Sequence, residues 1–344
     1  MKKLFVLGDM HFSNAREWDL ESFNHFIDWF ENYDFGKYED CELLQLGDVT
    51  EKAINNGAVY FLVTKFFKTA LRKFSYIYVI GGNHCWKYDV TRNSEYFSTE
   101  FLSNMSDNIK TIFSEEKFTA LDGKLSILAL PFKFTVSSIE DYYNKHLNKS
   151  FYEEKYNIIC GHVNLYDSNF PSIEGLKLKN FKFDHAVFGH IHSRIGANAK
   201  YYTGSIMPFR KSEEKIELPR CIKVYDETNN ELPEIELPIF RQYHIIDFNK
   251  NKPEFERNSG TIVHIYELVN CKNDLVGEKT YPNFYIKKSS TIKSIDDCNT
   301  DSIDNDNNIL LKDDYTVLEQ MCKDNNIILK RGTKVLLKEL LSNK

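Results

Sequence analysis

Leu4-Phe5-Val6-Leu7-Gly8-Asp9-Met10-His11 is the stretch on which the fold turns. Four consecutive apolar residues without polar alternation have the pattern of a strand buried on both faces. A glycine then permits a tight turn, and an aspartate and a histidine follow at the carboxyl end of the run. The same construction recurs along the chain. The run at 43–46 leads into Gly47-Asp48, that at 76–80 into Gly81-Gly82-Asn83-His84, that at 157–160 into Gly161-His162, and that at 186–188 into Gly189-His190-Ile191-His192. In open α/β sheets ligands bind outside the carboxyl ends of the strands. Five strand ends therefore deliver Asp, His and Asn to one rim.

Further apolar runs at 125–130, 201–203 and 221–225 read as strands, and helical patterns lie between several of the runs. One helix is expected over 18–29, with Leu20, Phe23, Phe26 and Ile27 on its apolar stripe; another over 59–74, with Leu62, Phe66, Phe67, Ala70 and Leu71. Alternating strand and helix implies a layered α/β domain over 1–240. Residues 241–292 carry three strand-like stretches, at 243–248, 261–268 and 283–286, and read as a small α+β appendage. Asp296, Asp297, Asp301, Asp304 and Asp306 mark 293–310 as an acidic linker. Beyond it, 311–344 holds two short amphipathic patterns, Tyr315/Leu318/Met321 and Leu336/Leu337/Leu340/Leu341, expected to form a helical tail.

Composition bounds the function. With 344 residues, 42% hydrophobic and 27% charged, the chain can bury a sizeable core, which excludes global disorder. The longest apolar runs fall far short of the roughly 20 residues needed to cross a bilayer, so no membrane span is expected. The basic start Met1-Lys2-Lys3 precedes an apolar run too short for a signal peptide, and reads as the approach to a first strand. Seven cysteines, odd in number and never spaced as C-x-x-C, argue for reduced thiols in a cytoplasm, and against a disulfide framework or a zinc ribbon. A formal charge of −6 offers no global attraction to nucleic acid, so a DNA substrate needs more than bulk charge to hold it.

Two carboxylates (Asp9, Asp48), one amide oxygen (Asn83) and four imidazoles (His11, His162, His190, His192) form a mixed oxygen and nitrogen set. Such a set suits Mn²⁺, Fe²⁺ or Zn²⁺, whereas an all-oxygen cage suggests Ca²⁺ or Mg²⁺. Seven ligands exceed the needs of one ion. They suit two, about 3.5 to 4 Å apart with one carboxylate shared, which is the arrangement that clamps attacking and leaving oxygens in phosphoryl displacement. A lone Gly-Asp or Gly-His is commonplace; the order of the motifs and their common placement after buried strands give the set its meaning. His25, His146, His185, His244 and His264 lack that context and read as structural or surface residues.

The ordered motifs Asp-x-His, Gly-Asp, Gly-Asn-His, Gly-His and Gly-His-x-His resemble those of the calcineurin-like metallophosphoesterases over residues 1 to about 210. The resemblance implies a four-layer α/β/β/α sandwich, with a small α+β capping domain and a C-terminal helical tail after it. It puts Asp9, His11 and His192 on one divalent metal, Asn83, His162 and His190 on the other, and Asp48 between them. His84 then corresponds to the non-ligand catalytic histidine that contacts the phosphate and protonates the leaving oxygen. Mn²⁺ is the expected metal, with Mg²⁺, Fe²⁺ and Zn²⁺ as alternatives.

Within that family, protein phosphatases continue Gly-Asp with Val-Asp-Arg-Gly; here the run is Gly47-Asp48-Val49-Thr50-Glu51-Lys52, without the phosphate-binding arginine. Tyr202-Thr203-Gly204-Ser205-Ile206, Ser212-Glu213-Glu214, Glu236-Leu237-Pro238-Ile239-Phe240-Arg241 and Tyr243-His244-Ile245-Ile246 are similar to segments of the SbcD-type nucleases of bacteria and T-even phages. That resemblance implies a DNA exonuclease and endonuclease in an SbcCD-like repair and recombination complex. It also implies a homodimer, an SbcC-like ATPase partner bound by the tail, and a location in the cytoplasm of the cell or of a phage host. The apolar helix over 59–74, with Phe61, Leu62, Phe66 and Phe67 on more than one face, is the expected dimer element. Cys85 stands where the family usually has an acidic residue, and Glu51 is placed to compensate by supporting the metal ligands. A small-molecule phosphodiesterase or phosphatase, and a non-catalytic DNA-tethering scaffold, are the competing readings.

Overall fold

The computed structural model describes residues 1–16, 18–53, 55–89, 94–133, 143–144, 147–166, 175–247, 262–269, 279–281 and 284–287. The expected acidic linker and helical tail lie outside these residues. The chain divides into two compact units, Met1–Ile239 and Phe240–Lys344.

In the first unit, β1 (Lys3–Leu7), β2 (Cys41–Gln45), β3 (Tyr76–Ile80), β6 (Ile109–Ile112), β11 (Cys221–Asp226) and β12 (Glu231–Glu236) make a six-stranded sheet in the order β12-β11-β1-β2-β3-β6. Strands β1, β2, β3 and β6 run parallel, while β11 is antiparallel to both its neighbours. A second sheet, β10-β9-β8-β7, comprises β7 (Glu116–Ala120), β8 (Leu125–Leu130), β9 (Lys155–His162) and β10 (Lys182–Gly189). The two sheets face one another across one core. Leu4, Val6, Leu44, Leu46 and Ile80 from the first meet Ile127, Ala129, Ile158, Cys160 and Val187 from the second. Alternate residues of each strand point the other way. Phe5 turns outward to Phe35 and Phe74, into an aromatic layer shared with the two helices. Over the outer face of the second sheet lie Tyr143, Leu147, Leu165, Leu176, Phe181 and the short helix α3 (Ser150–Glu153). The architecture is mixed α/β with several sheets and few helices among the described residues.

Helix α1 (Asp19–Asn32) buries Phe23, Phe26, Ile27 and Phe30, the i, i+3, i+4, i+7 stripe of an amphipathic helix. Leu20, expected on that stripe, is 39% exposed. It sits about 70° round the helix from the stripe's centre at 100° per residue, on the solvent margin. Helix α2 (Gly57–Ala70) starts earlier than its apolar pattern suggests, because the Asn56 side chain accepts from the amides of Ala58 and Val59 and caps it. Leu62, Phe66 and Phe67 are buried within their own unit, and Phe61 is 68% exposed. The run at 201–203 is not a strand: Ala199–Tyr201 forms a 3-10 turn, and the backbone of Tyr202 joins no ladder, pairing with Phe188 as an isolated bridge.

A two-stranded hairpin, β4 (Trp86–Asp89) and β5 (Ser94–Phe97), follows His84. The second unit holds β13 (Arg241–Asp247), β14 (Val263–Val269), β15 (Lys279–Tyr281) and β16 (Phe284–Lys287) in the order β13-β14-β16-β15. Strands β13, β14 and β16 are parallel, and β15 is antiparallel to β16. Among the described residues no helix is long and apolar enough to cross a membrane.

Candidate metal centre

The carboxyl ends of β1, β2, β3, β9 and β10 meet at one rim. Asp9 and His11 follow β1, Asp48 follows β2, Asn83 and His84 follow β3, His162 ends β9, and His190 and His192 follow β10. The turns interlock: the amides of Met10 and His11 both donate to the Asp48 carbonyl, at 3.0 and 2.8 Å. The buried Gln45 side chain bonds both polar groups of Gly47 and holds the second turn. A Cβ at Gly189 would lie 2.6 Å from Asp9 Oδ1 and 2.7 Å from the Leu46 carbonyl oxygen, so only glycine allows this strand end so close to the aspartate. His11, Asp48 and His190 themselves adopt positive φ, at 47°, 48° and 82°. Left-handed backbone at non-glycine residues clusters at functional sites, where surrounding structure holds it.

All seven expected ligand side chains converge, in two groups. Asp9, His11 and His192 offer ligand atoms within 4.8 Å of one another, and so do Asp48, His162 and His190. In the first group His11 Nε2 lies 2.9 Å from His192 Nε2. In the second, Asn83 Oδ1 lies 2.9 Å from His162 Nε2 and 3.0 Å from His190 Nδ1. Asp48 stands between the groups. Its Oδ1 accepts from the His84 amide at 2.8 Å, while Oδ2 lies 3.1 Å from His162 Nε2 and 3.5 Å from His11 Nε2. Asp9 likewise accepts from the His190 amide, at 2.9 Å on Oδ2.

This donor set fits divalent cations. The far nitrogens of two rings are anchored: His11 Nδ1 on Glu51 Oε2 at 2.7 Å, and His192 Nδ1 on Glu213 Oε1 at 3.1 Å. A ring that donates Nδ1–H to a carboxylate presents its Nε2 lone pair. Two such lone pairs facing each other, with carboxylate oxygens alongside, repel unless a positive charge sits among them. His162 is arranged the same way, Nδ1 donating to the Leu46 carbonyl at 2.8 Å. Orientation by a hydrogen bond on the far nitrogen is the usual setting of metal-ligating histidine.

The titration shifts express the same crowding. Burial would lower the His162 pKa, but Asp48 and Asp9 outweigh it and push it up to about 9. Burial and then the neighbouring His162 drive His190 the other way, down to about 3. Burial raises Asp9 above the ordinary carboxylate range. Asp48 is held well below that range because His162, His11 and His84 overcome its burial. One group of each charge type thus shifts up and another down, the strong mutual perturbation of buried titratable groups that marks a candidate functional site.

His84 lies at the edge of the centre, its ring 4.6 Å from that of His11, and its Nδ1 donates to the Glu51 carbonyl at 2.8 Å. Glu51 therefore touches both: its carboxylate holds His11 and its backbone holds His84. Cys85 does neither. Its thiol packs against Thr50, 3.6 Å from the hydroxyl, and burial, then Asp48, push it up to about 12, so it stays protonated. Glu213, the partner of His192, was not picked out as a site residue by sequence reasoning. It lies on a four-residue 3-10 turn, Lys211–Glu214, where no periodicity or spacing marks it. Phe209 beside it covers the His11 and His192 rings at 5.0 and 5.6 Å.

Residues 2–194 match the model of the calcineurin-like phosphoesterase family, more than half of the chain, and the chain belongs to that family of metal-dependent hydrolases. The comparison with curated proteins gives no match. Among solved structures, the protein of unknown function AQ665 from Aquifex aeolicus aligns with 53% of this chain and 88% of its own, at 12% identity and a TM-score of 0.27.

Proposed function

We propose that the protein is a two-metal DNA phosphodiesterase, the nuclease subunit of an SbcCD-like complex, using Mn²⁺. The observation that carries the reading is the run that follows Asp48: Glu51 in it braces His11 and His84, and Gly47 to Lys52 lacks the phosphate-binding arginine that the protein phosphatases of the family carry after Gly-Asp. A group of aromatic side chains, two of them exposed, suits a nucleic acid. Tyr60 and Tyr96 are joined hydroxyl to hydroxyl at 3.2 Å, Phe101 packs on Tyr60, and Phe61 and Tyr96 are exposed. Base stacking on such rings contributes about 1–3 kcal/mol per base and tolerates any sequence. It would hold a polyanion that a net charge of −6 does not attract.

Two divalent cations supply Lewis-acid polarisation of the phosphoryl oxygen and a nucleophile at neutral pH. The chain's own residues orient the rest. Glu51 and Glu213 fix the His11 and His192 rings, Asp48 is pinned by the His84 amide, and the Glu51 carbonyl accepts from His84 Nδ1 and orients the ring, whose Nε2 in the doubly protonated imidazolium is the proton donor to the leaving oxygen. Purified protein assayed with Mn²⁺ and with Mg²⁺ on plasmid, duplex and single-stranded oligonucleotides, bis-p-nitrophenyl phosphate and p-nitrophenyl phosphate tests the proposal. Cleavage of DNA and of the diester, in preference to the monoester, is expected. Activity on the monoester alone would overturn it in favour of a small-molecule phosphatase, and no cleavage under any condition in favour of a DNA-tethering scaffold.

A further inference from the structure

The two halves of the centre are not buttressed alike. In the half formed by Asp9, His11 and His192, both imidazoles rest on carboxylates that are not themselves expected ligands, Glu51 at 2.7 Å and Glu213 at 3.1 Å. In the half formed by Asn83, His162 and His190, the neutral Asn83 takes the place of a carboxylate ligand. There the His162 Nδ1 rests on a peptide carbonyl at 2.8 Å, with Asp9 Oδ1 farther off at 3.5 Å. His190 Nδ1 lies 3.0 Å from Asn83 Oδ1 and 3.3 Å from His162 Nε2, neither of them a carboxylate. Leaving aside Asp48, which lies between the halves, three carboxylates bear on the first half, while the second has only the distant Asp9 oxygen.

A carboxylate behind a ligating imidazole raises its basicity and fixes its tautomer, and losing such a partner typically lowers metal affinity about 10–100-fold. Glu213 is rigidly held for this task. Its Oε2 accepts from the Phe209 amide at 2.7 Å and the Arg210 amide at 3.3 Å, its carbonyl accepts from Ser193 at 3.2 Å, and its side chain is 14% exposed. Phe209, whose carbonyl is held by Arg16 at 2.7 Å, shields the two rings from water. Low local dielectric strengthens the interaction of a cation with these charges.

We propose that Glu213 and Glu51 are positioning residues that make the Asp9–His11–His192 half the tight, first-filled cation site, leaving the Asn83–His162–His190 half weaker and exchangeable. The inference rests on the family's dinuclear centre, and not on DNA being the substrate. Calorimetric titration of the full, chelator-treated chain with Mn²⁺ should show two steps separated by about tenfold or more. His190→Ala should remove the weaker step and keep the tighter one. Glu213→Gln should weaken the tighter step about 10–100-fold with the weaker step unchanged within about threefold, and Glu51→Gln should do the same if Glu213→Gln does not fold. Loss of loop support alone would shift the melting temperature and both steps together, and would overturn the positioning role. So would a wild-type isotherm with two equal sites, or a Glu213→Gln variant in which the weaker step moves instead. Two separated Mn²⁺ steps in a protein that cleaves no DNA would remove the nuclease reading and leave this one intact.

Discussion

Asp48 divides its two oxygens between different tasks, one held by the His84 amide at 2.8 Å and the other shared between His162 and His11. His84 belongs to neither of the two groups: it stands with Glu51 beside His11, the ligand atoms of these three also within 4.8 Å of one another, and its ring is tied to the Glu51 carbonyl. Substitutions at these neighbours should therefore fail differently. His84→Ala is expected to leave both metals bound while hydrolysis falls by about 10²-fold or more, the scale of losing a general acid. Asp48→Ala is expected to lose metal occupancy, because it removes the group between the two halves. Calorimetric titration of both variants checks the split, and equal metal loss in the two would contradict it.

Helix α2 gathers the ring cluster that backs the first sheet. Phe66 meets Phe12, Phe26, Phe30 and Phe67 at centroid distances between 4.9 and 5.8 Å. Phe66→Ala should destabilise the protein by about 3–5 kcal/mol, the transfer and cavity cost of a fully buried ring. Phe61→Ala, five residues earlier and 68% exposed, should change stability by less than about 0.5 kcal/mol. Urea denaturation of the two variants measures the contrast. If Phe61 instead lies in a dimer interface, as the sequence leads one to expect, its loss should show as a concentration-dependent drop in mass by light scattering.

Across the whole first unit, Glu42 ties the two sheets. It sits on β2, accepts from the Leu121 amide beyond β7 at 3.0 Å, and accepts from the Tyr78 hydroxyl of β3 at 3.2 Å. Burial raises its pKa above the ordinary carboxylate range, and the two hydrogen bonds only partly offset this. An acid whose folded pKa is raised binds its proton better folded than unfolded. Its contribution therefore turns unfavourable as pH climbs from the unfolded value near 4.5 through the folded one. Glu42→Gln keeps an acceptor for Leu121 and has no charge to bury, so its stability relative to wild type should rise between pH 4 and pH 8 in chemical denaturation. A difference that stays flat with pH would show that Glu42 carries no such penalty. At the other end of the chain, deletion of residues 296–344 should spare metal-dependent cleavage of short oligonucleotides and abolish co-purification with an SbcC-like subunit; unchanged binding to that partner would rule out the tail as its dock.

The strand ends and their donors were legible in the chain because the information is local: an apolar run, a glycine and a polar side chain within a few residues, repeated in order from Asp9 to His192. Local signals failed where pairing decides. Glu231–Glu236 reads as a polar stretch containing a proline, and becomes an edge strand only because β11 offers it a partner. Tyr201 to Thr203 has strand-forming residues yet lacks a ladder to join. Which donors stand close together, a grouping that the family resemblance implies but no local pattern shows, and that Glu213 stands behind His192 from 21 residues away, follow from bringing β1, β2, β3, β9 and β10 to one rim. Residue order sets the chemistry each strand end carries; the approach of two sheets sets the distances between those ends, which no single segment encodes.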